Sequence, residues 1–127
     1  MRKAATLITT AVSAATLLGS LALTSDPAVA AEKKKALSVV EQGKQIAFNR
    51  KKGNCLACHQ IAGGTLPGNI GPPLVAMKQR FPSKQALREQ IWDATKRNPN
   101  TSMPPFGRHK ILTEDEIDKV VEFIWTL

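Results

Sequence analysis

Three residues near the middle of the chain combine side chains that could do chemistry together. Cys55 and Cys58 are separated by two residues, and His59 follows directly in the sequence Cys-Leu-Ala-Cys-His. Proteins attach haem c through this pattern, because two thiols one tight turn apart can each add to a vinyl group on the same porphyrin edge. The sequence therefore predicts one covalent haem c held by Cys55 and Cys58, with His59 as the proximal iron ligand.

Three other uses of this cysteine pair fit the sequence less well. A zinc site usually takes four Cys or His ligands, and only His59 and His109 remain to complete one. A thioredoxin-like redox pair belongs to a strand–helix–strand setting, of which the sequence shows no sign. A disulfide between Cys55 and Cys58 would close a very short loop and stabilise little. Haem attachment is therefore the preferred interpretation.

The sixth position of a haem iron needs a second axial ligand, and a thioether there favours electron transfer. Met103 precedes Pro104 and Pro105, whose restricted backbone could hold a ligand at a set distance. Met77 lies in an expected helix and is interpreted as a packing residue. His109 is expected at the surface or at the rim of the site. We predict Met103 as the distal ligand, with Met77 and His109 as the alternatives.

Pro72 could orient the proximal histidine. A histidine that binds a metal usually donates its other ring N–H to a carbonyl, which fixes the ring. The carbonyl of Pro72, in the Gly71–Pro72 pair, is the candidate for His59. An ordinary turn is the alternative reading of this pair, and the spacing alone does not choose between them.

Residues 1–30 have the features of an export signal. Arg2 and Lys3 precede an uncharged run over residues 4–23, and a small-residue cleavage pattern ends at Ala30. We expect a Sec-type signal peptide that is removed after Ala30, and a periplasmic mature protein. A retained membrane span is the alternative, but the run is only weakly apolar. No cysteine lies near the cleavage site, so no membrane anchor is expected after cleavage.

Residues 31–127 are expected to form one monohaem domain. The chain has 18 Lys and Arg against 10 Asp and Glu, which gives a net charge of +8. A basic exported domain favours an acidic partner surface or an anionic substrate. Nucleic acid is not expected, because aromatic residues make up only 5% of the chain. A chain this short buries a modest core, which a large apolar cofactor would complete.

The apolar pattern predicts an all-α domain. Residues 37–48 repeat apolar side chains at helical spacing, and Gly43 inside this helix suggests that another helix approaches closely. Ser83 is a good N-cap for a helix that Asn98 and Pro99 would stop. No segment alternates with period two for long, so no sheet is expected.

Two further helices are indicated. A short one is expected within residues 74–80. Thr113 and Glu116 form a capping box at the start of the last helix, which carries an apolar stripe of Ile117, Val120, Val121 and Ile124. Gly and Pro are frequent over residues 61–73, which predicts an ordered loop, and a second loop over residues 99–110 contains Met103.

The order of these motifs resembles class I cytochrome c over nearly all of residues 31–127. A Gly-Lys helix precedes the Cys-x-x-Cys-His motif, and a Gly-Pro-x-Leu segment and a Met loop precede a terminal helix. The resemblance implies an all-α class I cytochrome c fold, in which the N- and C-terminal helices cross at Gly43 and residues 120–123. Loops would wrap around one covalent haem. The family usually has an aromatic residue four positions after the glycine; here Ala47 stands there and Phe48 follows.

A narrower resemblance is to the SoxX family, the small cytochrome subunits of SoxAX complexes, from about residue 43 to the end. Residues 53–59 (GNCLACH), 68–74 (GNIGPPL) and 101–107 (TSMPPFG) are similar to that family. The resemblance implies that Cys55 and Cys58 hold the haem, that His59 is its proximal ligand and that Met103 is its distal ligand.

The SoxX resemblance also implies partners and a role. In that family the complex couples thiosulfate to a cysteine of the SoxYZ carrier, the larger SoxA subunit carries the catalytic haem, and SoxX passes the electrons to a downstream acceptor. This chain would be the non-catalytic electron-transfer subunit of an L-cysteine S-thiosulfotransferase, and not an enzyme on its own. It has no spare cysteine for the sulfur chemistry. A freestanding periplasmic electron shuttle is the alternative.

Overall fold

Helices and loops make up all of the chain that the computed structural model describes, residues 36–127. These residues contain four α-helices and two short 3₁₀ turns, and no strand. The helices are α1 (Val39–Phe48), α2 (Met77–Arg80), α3 (Lys84–Trp92) and α4 (Glu114–Ile124), and the 3₁₀ turns are Cys55–Ala57 and Ala94–Lys96. The predicted all-α class is confirmed. The expected signal peptide, residues 1–30, lies outside the described residues.

A capping box sets the start of α1. The Ser38 hydroxyl accepts the backbone N–H of Glu41, and the Glu41 carboxylate accepts the backbone N–H of Ser38 at 2.8 Å. These two bonds satisfy N–H groups that have no partner inside the helix. Leu37, which we expected inside this helix, therefore lies before it and is exposed.

The backbones of α1 and α4 touch where Gly43 meets α4. A side-chain carbon on Gly43 would lie 1.9 Å from the carbonyl oxygen of Lys119 and 3.0 Å from Cβ of Phe123. Ala47, one turn further along α1, is fully buried. The crossing expected from the class I resemblance is therefore present, and Gly43 allows the close approach.

An aromatic contact accompanies this crossing, one residue later than the family pattern places it. The rings of Phe48 and Phe123 meet edge to face, with centroids 5.8 Å apart and planes at 83°. This geometry is a favoured arrangement of two aromatic rings. Small Ala47 fills the tight position, and Phe48 supplies the ring beside it.

Helix α4 provides the largest apolar face of the fold. Its N-cap Thr113 and Glu116 form the predicted capping box. The predicted stripe is buried, and Phe123 is buried with it; the members are Ile117, Val120, Val121, Phe123 and Ile124. This face meets α1 and α3, so α4 is the element against which the others pack.

Helix α3 begins where the sequence predicts and ends earlier. The Ser83 hydroxyl accepts the backbone N–H of Ala86, as an N-cap does. The expected end at Asn98 is wrong, because α3 ends at Trp92. Asp93 leaves the helical conformation, with φ −154° and ψ 88°, and its carboxylate caps the 3₁₀ turn that follows.

Helix α2 is shorter than the segment in which it was expected. Its N-cap, Ala76, has a left-handed backbone with φ 52°, which prevents an earlier start. Leu74, at the expected beginning, donates its N–H to Gln60 instead. The helix is joined to the end of the chain, because the Met77 N–H donates to the carbonyl of Leu127 at 3.3 Å.

Ion pairs join α3 to α4 on the outside of the fold. Arg88 contacts both Asp118, at 2.6 Å, and Glu114. Lys84 lies 2.7 Å from Glu122. These pairs are partly exposed, so each contributes little to the free energy of unfolding. Within the described part of the chain, no helix has the length and the apolar character needed to cross a membrane.

We expect Gly43→Ala to destabilise the protein. Alanine favours a helix over glycine by up to ~1 kcal/mol, but the added carbon would push α1 away from the Lys119 carbonyl. Such overpacking costs about 1–3 kcal/mol, so the net change is a loss. Urea unfolding of the haem-loaded protein measures it, with Gln45→Ala on the exposed side of α1 as the control. An unchanged unfolding midpoint in Gly43→Ala would contradict the close contact.

A second contact with α4 is made by the turn just before the Cys-x-x-Cys-His motif. The Lys52 ammonium forms an ion pair with Glu116, whose side chain is 17% exposed. The hydrogen bond from Lys52, followed by the one from the Thr113 backbone, holds the pKa of Glu116 below its usual value. Because the folded-state pKa is lowered, Glu116 stabilises the fold above its ordinary pKa. That stability is lost as the pH falls through the folded-state pKa.

Glu116→Gln should therefore lower stability in a pH-dependent way. Glutamine can keep the capping bond to Thr113, but it removes the charge that pairs with Lys52. At neutral pH we expect a loss of at most about 1 kcal/mol, and the difference should vanish once the pH is below the pKa of Glu116. Urea unfolding at both pH values, repeated in a Lys52→Gln background, separates charge from capping. A loss that persists unchanged in acid would assign the effect to the cap.

Candidate functional site

The Cys-x-x-Cys-His segment folds into one tight turn. Asn54 has a left-handed backbone with φ 46° and leads into the 3₁₀ turn Cys55–Ala57. The carbonyl of Cys55 accepts the N–H groups of both Cys58, at 3.2 Å, and His59, at 2.9 Å. Local backbone bonding therefore keeps the two thiols and the imidazole within a single turn, as the attachment chemistry requires.

Both thiols are free of disulfide bonding. Burial, with a smaller contribution from the nearby Cys58, raises the pKa of the Cys55 thiol to about 11. A thiol with so high a pKa stays protonated at neutral pH, whereas a reactive redox pair has a lowered pKa. The described residues also contain no group of three or more His, Cys, Asp or Glu that could hold a metal ion. Neither alternative use of the cysteine pair gains support from this environment.

The Gly- and Pro-rich loop lies alongside the turn. Gly68 donates its N–H to Leu56, Gly71 to Cys58 and Leu74 to Gln60, at 2.8, 2.8 and 2.9 Å. These bonds, spaced along both segments, align the loop with the residues around His59. The loop is therefore part of the site, although it contains no regular secondary structure.

The imidazole of His59 is held by the loop. Its Nδ1 lies 2.7 Å from the carbonyl oxygen of Pro72. A carbonyl can only accept a hydrogen bond, so Nδ1 carries a proton, and in the neutral imidazole Nε2 then keeps its lone pair. This is the tautomer that can bind a metal through Nε2. The contact proposed for Pro72 is present, while the ligand role of His59 stays a prediction.

Gly71 makes this position of the ring possible. A side-chain carbon on Gly71 would lie 2.4 Å from Cε1 and 2.6 Å from Nδ1 of His59. The imidazole therefore packs directly on the backbone of the residue before Pro72. From the sequence, the Gly71–Pro72 pair was placed beside His59 only through the Pro72 carbonyl. This contact of Gly71 was missed, because nothing in a Gly-Pro pair identifies the ring that packs on it.

The candidate site residues surround one cavity of about 760 Å³. Cys55, Cys58, His59 and Met103 all line it, although Met103 is more than 40 residues away in the sequence. The volume is within the roughly 300–1,000 Å³ range of small-molecule and cofactor pockets. The fold thus brings together the four residues that the sequence predicted to act together.

The wall of this cavity is apolar apart from a basic portion. Apolar side chains line it from α2, α3 and α4, and examples are Met77, Leu87, Ile91, Val120 and Ile124. The charged residues in the wall are all basic, namely Arg50, Lys51, Lys52 and Arg80, and no described Asp or Glu is among them. A porphyrin has an apolar plane and two carboxylates. The donor set, the apolar wall and the basic residues all fit haem c.

The two candidate methionines differ in their surroundings. Met103 is partly buried, lines the cavity and donates its N–H to the Thr101 hydroxyl at 3.1 Å. Met77 also lines the cavity, but it is 2% exposed and belongs to the core. Its sulfur already accepts an N–H of Arg80 at 3.7 Å. His109 is exposed and does not line the cavity. Met103 stays the predicted distal ligand.

The loop that carries Met103 is fastened to α3 by a second glycine. A side-chain carbon on Gly107 would lie 2.0 Å from Cδ1 of Trp92, so the loop backbone packs against the indole ring. The ring is itself fixed, because its Nε1–H donates to Glu114 of α4 at 2.9 Å. This contact could not be predicted from local sequence patterns, since Trp92 and Gly107 belong to separate segments of the chain.

Comparison with known proteins agrees with this geometry. The family model for cytochrome c matches residues 40–127, which is more than half of the chain. The chain belongs to the cytochrome c family. Membership implies a covalently attached haem c with its iron, in agreement with the cavity and its donors.

Two relatives refine the assignment. The crystal structure of SoxXA from P. pantotrophus has 30% sequence identity and a TM-score of 0.61, and the match covers 68% of this chain and 79% of that chain. The class I fold and the SoxX-like character of the chain are thereby confirmed. An uncharacterized lipoprotein from Aquifex aeolicus (strain VF5) is 35% identical over 75 residues. That match covers 58% of this chain, which spans about a third (36%) of the relative.

Gly71→Ala should disturb the ring of His59 without preventing folding. The backbone of Gly71 is not left-handed, so alanine is allowed there and only its Cβ is in conflict with the imidazole. We expect haem to attach, but the ring to turn away from the Pro72 carbonyl. Loss of such an outer partner typically lowers activity roughly tenfold or more.

Electron paramagnetic resonance of the oxidised Gly71→Ala protein and its electron-transfer rate would report the change in the ring. Asn69→Ala, at an exposed position in the same loop, is the matched control. If Gly71→Ala gave the same spectrum and electron-transfer rate as Asn69→Ala and the wild type, the packing of His59 on Gly71 would have no effect on function.

Proposed function

We propose that this chain is the electron-transfer haem subunit of a periplasmic, SoxAX-type thiosulfate-oxidising complex. It would accept the electrons released when thiosulfate is coupled to a cysteine of a SoxYZ-type carrier. The observation that carries the proposal is the similarity to SoxXA from P. pantotrophus at 30% identity over 79% of that chain. The motifs around residues 53–59, 68–74 and 101–107 support it independently.

The residues of the cavity have separate parts in this proposal. Cys55 and Cys58 would hold one haem, since the chain has two cysteines. His59 would bind the iron through Nε2, because Nδ1 donates a hydrogen bond to the carbonyl of Pro72. Met103 would bind through its thioether. When bound, the haem iron supplies one-electron transfer. Protein ligands on both axial sides would keep substrate off the metal, so that only electrons pass.

The proposed partners follow from this role as an electron-transfer subunit. The chain would form a heterodimer with a larger SoxA-like cytochrome, and it would meet the SoxYZ-type carrier and a downstream acceptor transiently. It would not be an enzyme alone, because both of its cysteines would be used to hold haem. Export by residues 1–30 and cleavage after Ala30 belong to the same proposal, since haem c is attached outside the cytoplasm.

The proposal predicts co-purification with a second haem protein. The tagged protein would be captured from the periplasm of thiosulfate-grown cells and separated on a haem-stained gel. The tag belongs between Ala30 and residue 36, where it stays on the chain after the proposed cleavage and leaves free the carbonyl of Leu127, which bonds to Met77. We expect a larger haem band at comparable yield, and reduction of both haems when thiosulfate and the carrier are added.

An untagged strain grown in the same way is the control for this capture. A small haem band that stays alone even at low salt would instead indicate a freestanding shuttle, whose docking is transient and dependent on salt. Absence of haem stain from the captured protein would reject the haem assignment of Cys55 and Cys58 themselves.

A further inference from the structure

Asp93 is the one acidic residue buried among those the structure describes, with 3% of its surface exposed. It follows α3 and caps the next turn. Its Oδ1 accepts the backbone N–H of Thr95 at 3.1 Å and the Thr95 hydroxyl at 2.5 Å. A buried carboxylate is costly unless it is paired, so the partner of its second oxygen matters.

That partner is Arg108, which lies at the end of the loop that carries Met103. Nη1 of Arg108 is 3.1 Å from Oδ2 of Asp93 and 3.3 Å from the Thr95 hydroxyl. The Arg108 side chain is 48% exposed, so it covers the buried carboxylate from the solvent side. The bonds from Thr95, with Arg108 and Lys96 as nearby cations, hold the pKa of Asp93 below its usual value. The carboxylate is therefore charged at neutral pH.

The same short segment holds both ends of the loop over residues 99–110. At the far end, the carbonyl of Trp92 accepts the N–H of Gly107 at 3.0 Å and, more weakly, that of Arg108 at 3.4 Å. At the near end, Asn98 donates to Ala94 at 3.1 Å. Met103, between these ends, has one hydrogen bond of its own backbone, to Thr101. Its position thus depends on how firmly the ends are held.

We propose that the Asp93–Arg108 pair positions Met103, by keeping the loop over residues 99–110 closed against the end of α3. The inference rests on the proposed function, in which Met103 is the distal iron ligand. Without Arg108, the buried carboxylate of Asp93 loses its ion-pair partner, and opening of the loop lets water reach it. The pair is therefore a positioning device and does not itself touch the haem.

The test uses the oxidised haem protein and adds imidazole as a competing ligand. Imidazole can bind only when Met103 has left, so its apparent affinity scales with the fraction of open loops. For Arg108→Gln we expect imidazole to bind roughly tenfold more tightly, together with a weaker far-red absorption band of the thioether–iron bond. Lys84→Gln is the control, because it removes an equal charge from a pair with Glu122 that does not involve the loop.

A second substitution separates charge pairing from simple loss of packing. Adding Asp93→Asn to Arg108→Gln removes the unpaired buried charge, so imidazole affinity should fall back toward the wild-type value. Arg108→Lys should recover part of the closure. If Arg108→Gln acted only through the loss of packing, adding Asp93→Asn would not bring the imidazole affinity back toward the wild-type value.

The outcomes distinguish the inference from the proposed function. Wild-type imidazole affinity in Arg108→Gln, or a double variant that opens further than the single one, would overturn the role of the pair. Met103→Ala serves as the fully open reference. If it kept the thioether band and the reduction potential of the wild type, Met103 would not be the ligand. Both this part of the proposed function and the inference would then be rejected.

Discussion

The contact between the backbones of α1 and α4 at Gly43 is the constraint on which the rest of the structure depends. Helix α1 ends at Phe48, a few residues before the turn that carries Cys55, and α4 supplies Val120 and Ile124 to the cavity wall. Any change in the separation of α1 and α4 would therefore move the haem motif relative to that wall. The pair between Lys52 and Glu116 opposes such a shift at the turn itself.

The hydrophobic core and the cofactor site of this protein are largely the same residues. Met77, Leu87 and Val120 are among its most deeply buried side chains, and all three also line the cavity. Between the helices, these side chains face the space for the cofactor as well as one another. A covalently attached haem stays with the chain when the protein unfolds, so it stabilises the fold by burying its apolar surface in this cavity. That contribution suits a short chain that has few aromatic residues.

The features that could be predicted came from local patterns or from the family resemblance, and those that were missed depend on contacts between segments that neither of these describes. The Cys-x-x-Cys-His turn, the cap at Thr113 and the close approach at Gly43 each follow from neighbouring residues. The end of α3 did not, because Leu87, Ile91 and Ala94 continue the helical spacing while Asp93 turns the chain. The packing of Gly71 on His59 and the partners of Asp93 depend on where separate segments meet. No spacing or periodicity encodes those meetings.

Each of the two predicted axial ligands is supported by a glycine whose backbone packs directly against an aromatic ring. The two supports are not equally firm. On the His59 side, Gly71 belongs to a loop joined to the haem turn by several backbone bonds between segments close in sequence. On the Met103 side, Gly107 packs on Trp92, and the loop is closed by a half-exposed Arg108. The backbone bonds on the His59 side, at Gly68, Gly71 and Leu74, run alongside the haem turn itself, whereas those that join the Met103 loop to the end of α3 lie only at the two ends of that loop. The methionine side is therefore the one from which this site should open.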